Sequence, residues 1–299
     1  MRSKAILLCL LLILCSTVQF HNQLVQNENI SHTAQQTCDA NRNETWTVGL
    51  IYCNDVIQPG YTLFSPMASE TSYLIDQYGR EVHSWTSPGG YSGLSSYLLE
   101  DGDLLRPVNL GNNQPGEFSA GGSMGGFERI SWDGDLEWFW TYSSETYRSH
   151  HDVEPLPNGN ILIIAWEYKN ASQAEEKGKI LGDTSSRTIG TTSVWPDKVL
   201  EVKPVGIDDA EIVWEWSFWD HTIQDIDDTK DNFGVISEHP ELIDINFGGV
   251  GQNWLHCNGI DYNYLLDQIA LSCRNTNEIY IIDHSTTTHE AAGHTGGNS

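Results

Sequence analysis

A short run of β-favouring residues, a turn that contains Gly with Asp or Asn, and a second β-favouring run recur along the chain. Asp-Gly and Asn-Gly between apolar alternations are the strongest short-range signal of a β-hairpin. Runs of this kind cover residues 73–85, 97–105, 127–140, 153–166, 199–216, 260–273 and 278–283. No long segment has the period of an amphipathic helix. The pattern therefore predicts an all-β chain.

The spacing of the turn glycines predicts how the hairpins group. Gly79 and Gly102 lie 23 residues apart, and Gly134 and Gly159 lie 25 apart. Two such hairpins make a four-stranded unit of about 45–50 residues, the size of one propeller blade. Pairing the hairpins in this order gives about three blades and the start of a fourth. We therefore predict an incomplete β-propeller of about three to four blades, with a β-sandwich as the alternative.

The series of hairpins is interrupted by an Asp-rich segment, residues 217–253, which falls within the third unit of this grouping. Long insertions in a rigid β scaffold often carry function. We therefore expect the insertion to form one wall of a site, with His221 near its mouth.

The N-terminus has the composition of an export signal. A basic start, residues 1–4, precedes an almost unbroken apolar run over residues 5–18. This is typical of a Sec signal peptide, and the run is shorter than the about 20 residues of a membrane span. We assign residues 1–20 to a signal peptide and expect a secreted or periplasmic protein with no stable membrane insertion after its removal. A buried helix or a retained anchor is the alternative.

Behind the signal, the chain divides into two parts. Residues 21–44 are rich in Asn, Gln, Ser and Thr and lack periodicity, which predicts a flexible polar spacer. Residues 45–299 carry the hairpins and are predicted to form a single, partial propeller domain.

Export also explains the use of cysteine. Cys38, Cys53, Cys257 and Cys273 follow the signal peptide, and thiols in an oxidising compartment form disulfides. Pairing of sequence neighbours, 38 with 53 and 257 with 273, is the simplest connectivity, and the other connectivities stay open.

The charge of the chain excludes some classes of partner. The sequence holds 15 Lys and Arg against 41 Asp and Glu, a net charge of −26. Nucleic acids and anionic membrane surfaces are therefore poor partners. An anionic substrate would require positive groups of its own in the pocket.

Three polar clusters carry the side chains best suited to chemistry: residues 149–152, 253–258 and 272–275. In a propeller, polar residues at the starts of inner strands face the central channel, so His151, His256 and Asn258 are expected to converge, with Arg274 beside them. Imidazoles, an amide and a guanidinium around one opening can hold a tetrahedral oxyanion. Strand alternation predicts that His150 and His151 point in different directions.

A metal site is the main alternative interpretation of these residues. Two or three His with Asp152 could bind zinc. No His-Glu-x-x-His or paired Cys-x-x-Cys motif supports this, and Arg274 would repel a cation. The chain also lacks a Gly-rich phosphate loop. We therefore expect no metal and no cofactor.

Several long segments, in the right order, resemble the bacterial arylsulfotransferase (ASST) family. They are residues 150–162, 219–225, 239–246, 254–263, 266–274 and 277–287. The resemblance covers most of residues 60–299, which correspond to the N-terminal and central parts of the family.

The resemblance implies a six-bladed propeller with a central active-site channel. It implies transfer of a sulfuryl group from an aryl sulfate to a phenol, without the nucleotide donor PAPS, by a ping-pong route through a sulfohistidine. The positions that match the family's active site are His151, His256, Asn258 and Arg274, and we assign His150 and His221 to substrate binding. The expected partners are small aryl sulfates and phenols, and homodimer formation stays open.

The sequence departs from the family at one point. The sulfated histidine belongs to a later motif, and no residue here matches it. We therefore expect a chain cut off before the C-terminal blades, with little or no transfer activity alone. The alternatives are a secreted, non-catalytic propeller that binds ligands, or a metal-dependent hydrolase.

Overall fold

The structure is a computed structural model that describes residues 58–182, 192–249 and 251–294. The predicted signal peptide, the polar spacer and the predicted 38–53 disulfide lie outside these residues. Within the described part of the chain, no helix is long and apolar enough to cross a membrane.

Nearly all of the regular secondary structure among the described residues is β-strand, which confirms the prediction of an all-β chain. The strands are β1 (Tyr61–Phe64), β2 (Thr71–Asp76), β3 (Glu81–Thr86), β4 (Tyr91–Ser92), β5 (Tyr97–Leu98), β6 (Leu104–Asn109), β7 (Gly125–Ile130), β8 (Leu136–Thr141), β9 (Tyr147–Pro155), β10 (Ile161–Glu167), β11 (Lys169–Asn170), β12 (Ser193–Val194), β13 (Asp197–Val205), β14 (Asp209–Ser217), β15 (Thr222–Ile223), β16 (Ile243–Asp244), β17 (Cys257–Asn263), β18 (Gln268–Cys273) and β19 (Glu278–Asp283). The helical elements are α1 (Ala171–Glu176), α2 (Thr288–Ala291) and the 3₁₀ turns Phe218–His221 and Ile236–Glu238.

Four antiparallel sheets follow one another along the chain. The first has the order β1-β2-β3, and the second has the order β4-β6-β7-β8, with β5 also paired to β6. The third has the order β14-β13-β10-β9, and the fourth has the order β17-β18-β19. Two short ladders, antiparallel β11-β12 and parallel β15-β16, lie outside these sheets.

The predicted hairpins form, but their predicted grouping is wrong. The hairpins that turn at Gly79 and Gly102 belong to the first and second sheets, and those at Gly134 and Gly159 belong to the second and third. The correct grouping is shifted by one hairpin. Because consecutive hairpins carry similar turn residues at similar spacing, the spacing cannot fix where one sheet ends and the next begins.

The corrected grouping of the hairpins also changes the place of the insertion in the fold. The third sheet is complete when β14 ends at Ser217, so residues 217–253 connect the third sheet to the fourth rather than interrupting one unit. Within the insertion, the β15-β16 ladder brings its two halves together.

The hydrophobic cores lie between successive sheets. Leu74 and Trp85 of the first sheet pack with Leu104 and Ile130 of the second. The core between the second and third sheets contains Leu105, Phe127, Trp138, Tyr142, Val153, Ile161, Ile163, Ala165, Leu200 and Val202. The core between the third and fourth sheets includes Leu162, Ile164, Val199, Trp214, Trp216, Ile260, Ile269, Leu271 and Ile282. Each sheet thus has a neighbour to cover its apolar face.

Strand β10 shows why its sequence is apolar without interruption. Ile161, Ile163 and Ala165 belong to the core shared with the second sheet, whereas Leu162 and Ile164 belong to the core shared with the fourth. Successive strand residues point to opposite faces, so a sheet covered on both faces needs apolar residues at every position. Truncation of such a buried leucine to alanine costs about 2–5 kcal/mol.

The predicted pairing of Cys257 with Cys273 is confirmed. This disulfide joins the first residue of β17 to the last residue of β18, with 3.8 Å between the Cα atoms. It therefore fixes the end of the fourth sheet where His256 precedes β17 and Arg274 follows β18.

Candidate active site

A bulge in β9 places the first two candidate histidines. Ser149 pairs with Ala165 and Val153 pairs with Ile163, so residues 150–152 oppose the single residue Ile164. Bulges bend a strand and re-aim its side chains. The expectation that the adjacent histidines point apart is therefore wrong, because alternation holds only in a regular strand. Their rings meet edge to face with centroids 5.2 Å apart.

His151 and His256 come together from different sheets. His256 immediately precedes β17, which lies alongside β9. The two ring centroids are 4.7 Å apart and the rings are inclined by 67°. The structure therefore brings together the two histidines that the sequence placed at one opening.

Both histidines have an uncommon backbone conformation. The φ angle is +55° at His151 and +53° at His256, and only three other described non-glycine residues have a positive φ. For a histidine, this left-handed region is less favourable than the β or right-handed α region. Strained residues of this kind cluster at functional sites, where the surrounding structure holds them in place.

His150 lies behind His151. Its side chain is fully buried and stacks on Trp166, with ring centroids 4.0 Å apart. The Nδ1 atoms of His150 and His151 are 2.9 Å apart, which is hydrogen-bond distance. His150, assigned from the sequence to substrate binding, can therefore reach a ligand only through His151.

A buried carboxyl group lies on the other side of His150. Oδ1 of Asp197, the first residue of β13, is 3.1 Å from Nε2 of His150 and accepts a hydrogen bond from the backbone N–H of Cys257. The distance between Nε2 and Oδ1 is that of an ion pair, but the angles are not those of a hydrogen bond. Neither His150 Nε2 nor Asp197 Oδ2 has a hydrogen-bond partner among the described residues.

Arg274 supplies a positive charge beside His151 and His256. Its backbone N–H donates to the carbonyl oxygen of His256 at 3.1 Å, and its side chain is exposed. Its charge contributes to lowering the pKa values of both His151 and His256. We call His150, His151, Asp197, His256 and Arg274 the histidine cluster.

The exposed Asn258 occupies a bulge of its own. Cys257 pairs with Cys273 and Gly259 with Ser272, which leaves Asn258 as the additional residue of β17. Its Oδ1 accepts a hydrogen bond from the Ser272 hydroxyl at 3.3 Å. Asn258 is thus a surface residue beside the disulfide, two positions beyond His256.

Burial keeps the imidazoles of the cluster neutral. It lowers the pKa of His151 to about 3, with further contributions from His150, His256 and Arg274. Burial likewise lowers the pKa of His150 far below its usual range, and burial followed by Arg274 lowers that of His256. A neutral imidazole presents one N–H donor and one lone pair, which are the two groups that acid–base chemistry requires.

Asp197 is also shifted toward its neutral form. Burial raises its pKa to about 8, although the N–H of Cys257 and the neighbouring His256 act in the opposite direction. Desolvation of both His150 and Asp197 therefore outweighs any attraction between their charged forms.

The orientation of the Asn253 amide determines which ring nitrogen of neutral His256 carries the proton. Nδ2 of Asn253 lies 2.6 Å from Nδ1 of His256. With the amide in this orientation its nitrogen donates to Nδ1, and the neutral His256 ring then carries its proton on Nε2.

Gly122 makes room for His151. The N–H of His151 donates to the carbonyl oxygen of Gly122 at 2.9 Å, and the ring lies against its Cα atom. A Cβ atom at this position would come within 2.0 Å of the ring. The loop is held in turn by Arg148, whose buried guanidinium donates to the carbonyl oxygens of Phe118 and Pro115.

The family model for arylsulfotransferase (ASST) matches residues 134–290, which is more than half of the chain. This chain belongs to the arylsulfotransferase family. The match contains the whole histidine cluster, Asn258 and His221, whereas Gly122 precedes it. No curated protein matches this arylsulfotransferase-family chain.

His221 lies apart from the cluster, in the 3₁₀ turn that opens the insertion. It is buried and stacks on Trp216, with centroids 4.6 Å apart. Its ring nitrogens lie 2.8 Å from the Ser217 carbonyl oxygen and 3.1 Å from that of Gly293. These contacts tie the insertion to the end of the described chain. His221 is not among the residues that line the cleft beside it, and its assignment to substrate binding stays a prediction.

The insertion forms one wall of a cleft, whereas its expected role as the wall of a functional site stays a prediction. The cleft has a volume of about 740 Å³ and is lined by insertion residues such as Trp219, Asn232 and Phe233, together with Lys177 of the segment after α1 and His294. No residue of the histidine cluster lines it. The cleft is therefore distinct from the cluster.

The described residues contain no group of three or more His, Cys, Asp or Glu side chains arranged to hold a metal ion. Sequence reasoning missed Asp197, Trp166 and Gly122. Asp197 had one available signal, because it is an acidic residue two positions before the predicted strand that begins at residue 199.

Proposed function

We propose that this chain binds an aryl sulfate at the histidine cluster for transfer of its sulfuryl group to a phenolic acceptor, without PAPS. The observation that carries the proposal is the close approach of His151 and His256, with ring centroids 4.7 Å apart, beside the exposed Arg274. Membership of the arylsulfotransferase family supports the same reaction.

The electrostatics of the cluster suit a sulfate ester. In a chain with a net charge of −26, a sulfate group needs a local cation. The guanidinium of Arg274 is permanently charged, and its planar donors match the oxygens of a tetrahedral oxyanion. The Nε2–H of neutral His256 adds a donor that needs no counterion, and the carboxamide of Asn258 is a further candidate donor.

Sulfuryl transfer also requires a group that handles a proton. The leaving phenolate needs a proton, and the accepting phenol must lose one. His151 is suited to this role because it is neutral and can present a donor or a lone pair at Nε2. In the ping-pong route, the sulfuryl group rests on a histidine between the half-reactions. No residue of the cluster stands at the position that the resemblance gives to that histidine, so we propose anion binding and proton transfer for the cluster itself.

We further propose that the four sheets are consecutive blades of a β-propeller, six-bladed in the complete family fold. Each pair of successive sheets shares a hydrophobic core, as neighbouring blades do. β9 and β17, at the edges of the third and fourth sheets, lie side by side, and both lead into the histidine cluster. This arrangement is the one expected of inner strands around a channel.

Export of the mature chain, after loss of residues 1–20, remains part of the proposal. The disulfide between Cys257 and Cys273 supports it, because disulfides persist in oxidising compartments. Mass spectrometry of the protein from the periplasm or medium should find an N-terminus near residue 21, and an intact Met1 would contradict export by a cleaved signal.

Binding of 4-nitrophenyl sulfate, measured by isothermal titration calorimetry, tests the proposed site. Arg274→Ala should weaken binding by about tenfold to hundredfold, because hydrogen bonds to a charged group contribute about 1.5–3 kcal/mol. Arg274→Lys should bind with intermediate affinity, since it keeps the charge but loses the planar donors. Arg80→Ala, which removes another exposed arginine, is the control and should bind like the wild type. Equal affinity of Arg274→Ala and wild type would contradict the proposal.

Turnover provides a separate test. The chain alone, mixed with 4-nitrophenyl sulfate and phenol, should release 4-nitrophenol slowly, since the cluster supplies no residue at the nucleophile position. Rapid release that His151→Ala abolishes would mean that the cluster itself contains the nucleophile, and would overturn the division of roles proposed here.

A further inference from the structure

We propose that Asp197, His150 and His151 form a proton relay in which the buried carboxyl group sets whether Nε2 of His151 donates or accepts a hydrogen bond. The catalytic use of the relay rests on the proposed sulfuryl transfer. Its protonation behaviour can be measured without any substrate.

The geometry supplies a continuous line of polar atoms. Asp197 Oδ1 is 3.1 Å from His150 Nε2, and His150 Nδ1 is 2.9 Å from His151 Nδ1. His150 and Asp197 are fully buried side chains, so their contact is shielded from bulk water. The relay therefore begins at a buried carboxyl group and ends at His151, which contacts His256.

Two buried atoms without a hydrogen-bond partner lie where the relay needs one more hydrogen bond, between Asp197 and His150. His150 Nε2 and Asp197 Oδ2 have no hydrogen-bond partner among the described residues, although their side chains are in contact. An unpartnered buried polar atom is costly and calls for an explanation. The relay requires a hydrogen bond between the Asp197 carboxyl group and His150 Nε2, which would give this nitrogen the partner it lacks.

The relay has two protonation states. The relay and its bound ligand together hold the same number of protons in both states. In the first, the Asp197 carboxylic acid donates to His150 Nε2, His150 Nδ1–H donates to His151 Nδ1, and His151 Nε2–H is a donor. When Nε2–H passes its proton to a phenolate, the His150 Nδ1 proton moves to His151 Nδ1 and the Asp197 proton moves to His150 Nε2. The product is a phenol, two neutral imidazoles and a buried carboxylate.

The reverse sequence serves the second half-reaction. His151 Nε2 now carries a lone pair and takes the proton of the incoming phenol, and the carboxylate of Asp197 recovers its proton through His150. A ping-pong reaction needs this reversal, since the group that protonates one phenolate must then deprotonate another phenol. Asp197 and His150 are positioning residues in this scheme, because among the three relay residues only His151 would touch the substrate.

The protonation properties of the three groups agree with the first state. Burial raises the pKa of Asp197 to about 8, and burial lowers the pKa values of both histidines, that of His151 to about 3. All three groups are therefore neutral near pH 7. The other charged or titratable groups that act on them are His256, ahead of β17, and Arg274, after β18.

The first test is the tautomer of His151, read from imidazole ¹⁵N chemical shifts in the wild-type protein. As the pH rises through about 8, His151 Nε2 should change from protonated to unprotonated. The ¹³Cγ shift of Asp197 should titrate with the same midpoint, because one relay connects the two. Separate midpoints, or a His151 tautomer that ignores the state of Asp197, would overturn the relay.

The second test is Asp197→Asn. The amide keeps an acceptor for the Cys257 N–H and presents an NH₂ that can only donate to His150 Nε2. His151 should then stay protonated on Nε2 at all pH values from pH 6 to 10. Asp152→Asn is the matched control, since Asp152 lies in the same bulge but accepts from Tyr97 and Ile260. It should leave the His151 titration unchanged. If Asp197→Asn fails to fold, the wild-type titration alone decides.

Ligand binding separates the relay from the proposed function. Wild-type affinity for 4-nitrophenyl sulfate should fall by about tenfold above pH 8, as His151 loses its donor. Asp197→Asn should keep its affinity over the same range. Absence of binding in both proteins would refute the sulfate site and leave the relay to the NMR result. Binding with the same pH dependence in both would refute the relay and leave the sulfate site standing.

Discussion

The ring of His151 rests against the Cα atom of Gly122, and this contact limits where the imidazole can lie. The glycine has a φ of +87°, which only glycine adopts at little cost, and a Cβ atom would lie 2.2 Å from Nε2 of the ring. Backbone conformation and steric fit therefore both require glycine here. The requirement comes from a residue almost thirty positions away in the chain.

Gly122→Ala should displace His151 and weaken binding of 4-nitrophenyl sulfate by about tenfold or more, since a hydrogen bond to the sulfate oxygens is lost. Gly134→Ala is the matched control, because Gly134 has a similar φ of +92° but no atom within 4 Å of an added Cβ. Both variants should lose about 1–2 kcal/mol of stability from left-handed strain. Equal binding by the two variants in calorimetric titrations would show that Gly122 does not position His151.

Arg106 and Glu128 form a fully buried ion pair between β6 and β7, with 2.5 Å between Nε and Oε1. The remaining polar atoms are satisfied by Ser72, Ser87 and backbone carbonyl oxygens. Such a pair contributes little net stability compared with apolar residues, but the loss of one partner leaves a buried charge without compensation.

Glu128→Gln should therefore lower the free energy of unfolding by about 3–5 kcal/mol, measured by urea denaturation. The adjacent Arg129 gives the control. It pairs with Asp101 and Asp103, but its side chain is 38% exposed. Arg129→Met should cost at most about 1 kcal/mol. Similar losses in the two variants would mean that burial does not control the energy of these pairs.

The sequence identified four of the five members of the histidine cluster, because each stands in a long motif at a strand end: His150, His151, His256 and Arg274. It did not identify Asp197, which is 46 residues from His151 in the sequence. Asp197 joins the cluster only in the folded chain, where the first residue of β13 contacts His150. Nor could it foresee the bulge in β9, because strand alternation gives no signal for an irregular register.

At the scale of elements, a histidine between two carboxylates joins the third sheet to the fourth. His284, just after β19, lies 3.0 Å from Glu201 of β13 and 2.7 Å from Asp267 in the turn between β17 and β18. Hydrogen bonding to His284 is the main cause that lowers the pKa of Glu201 to about 2. Burial opposes the charge of His284, but the two carboxylates outweigh it and raise its pKa.

The signs of these shifts define a pH window for stability. The raised pKa of His284 gives stability that is complete below its unfolded value and lost as the pH rises through the folded value. The lowered pKa of Glu201 gives stability that is complete above its unfolded value of about 4.5 and lost as the pH falls toward about 2. The interaction is therefore strongest between about pH 4.5 and 6.5.

His284→Gln should cost about 1–3 kcal/mol of stability at pH 5.5 and progressively less as the pH rises through the raised pKa of His284, where the wild-type imidazole loses its charge. Denaturant unfolding of both proteins at pH 5.5 and at a series of higher pH values checks this. His239→Gln is the control, since His239 pairs with Glu241 at an exposed position. A stability difference between wild type and His284→Gln that is independent of pH would contradict the assigned charge.

The hairpins themselves were predictable because each rests on local turn chemistry and alternation. Their grouping into sheets was not, because it depends on which apolar faces meet. Trp85 of β3 packs against β6 and β7 of the next sheet, and spacing alone cannot specify that contact. The disulfide between Cys257 and Cys273 was predictable because its partners are close in the sequence.

At the scale of the whole molecule, the histidine cluster of this strongly acidic chain lies where two sheets meet. The third sheet contributes His150, His151 and Asp197, and the ends of the fourth contribute His256 and Arg274. Neither sheet holds the site alone, so packing between sheets positions the residues of the histidine cluster. The family assignment was predictable from long motifs in a fixed order. The number of blades in the proposed propeller would depend on closure of a ring of sheets, which no local pattern encodes.

The most direct measurement is a crystal structure of the chain with 4-nitrophenyl sulfate bound. The account predicts the sulfate group within hydrogen-bond distance of the Arg274 guanidinium and of Nε2 of His151 or His256. Electron density for the ester in the cleft beside Trp219, with the histidine cluster unoccupied at saturating ligand, would contradict the account.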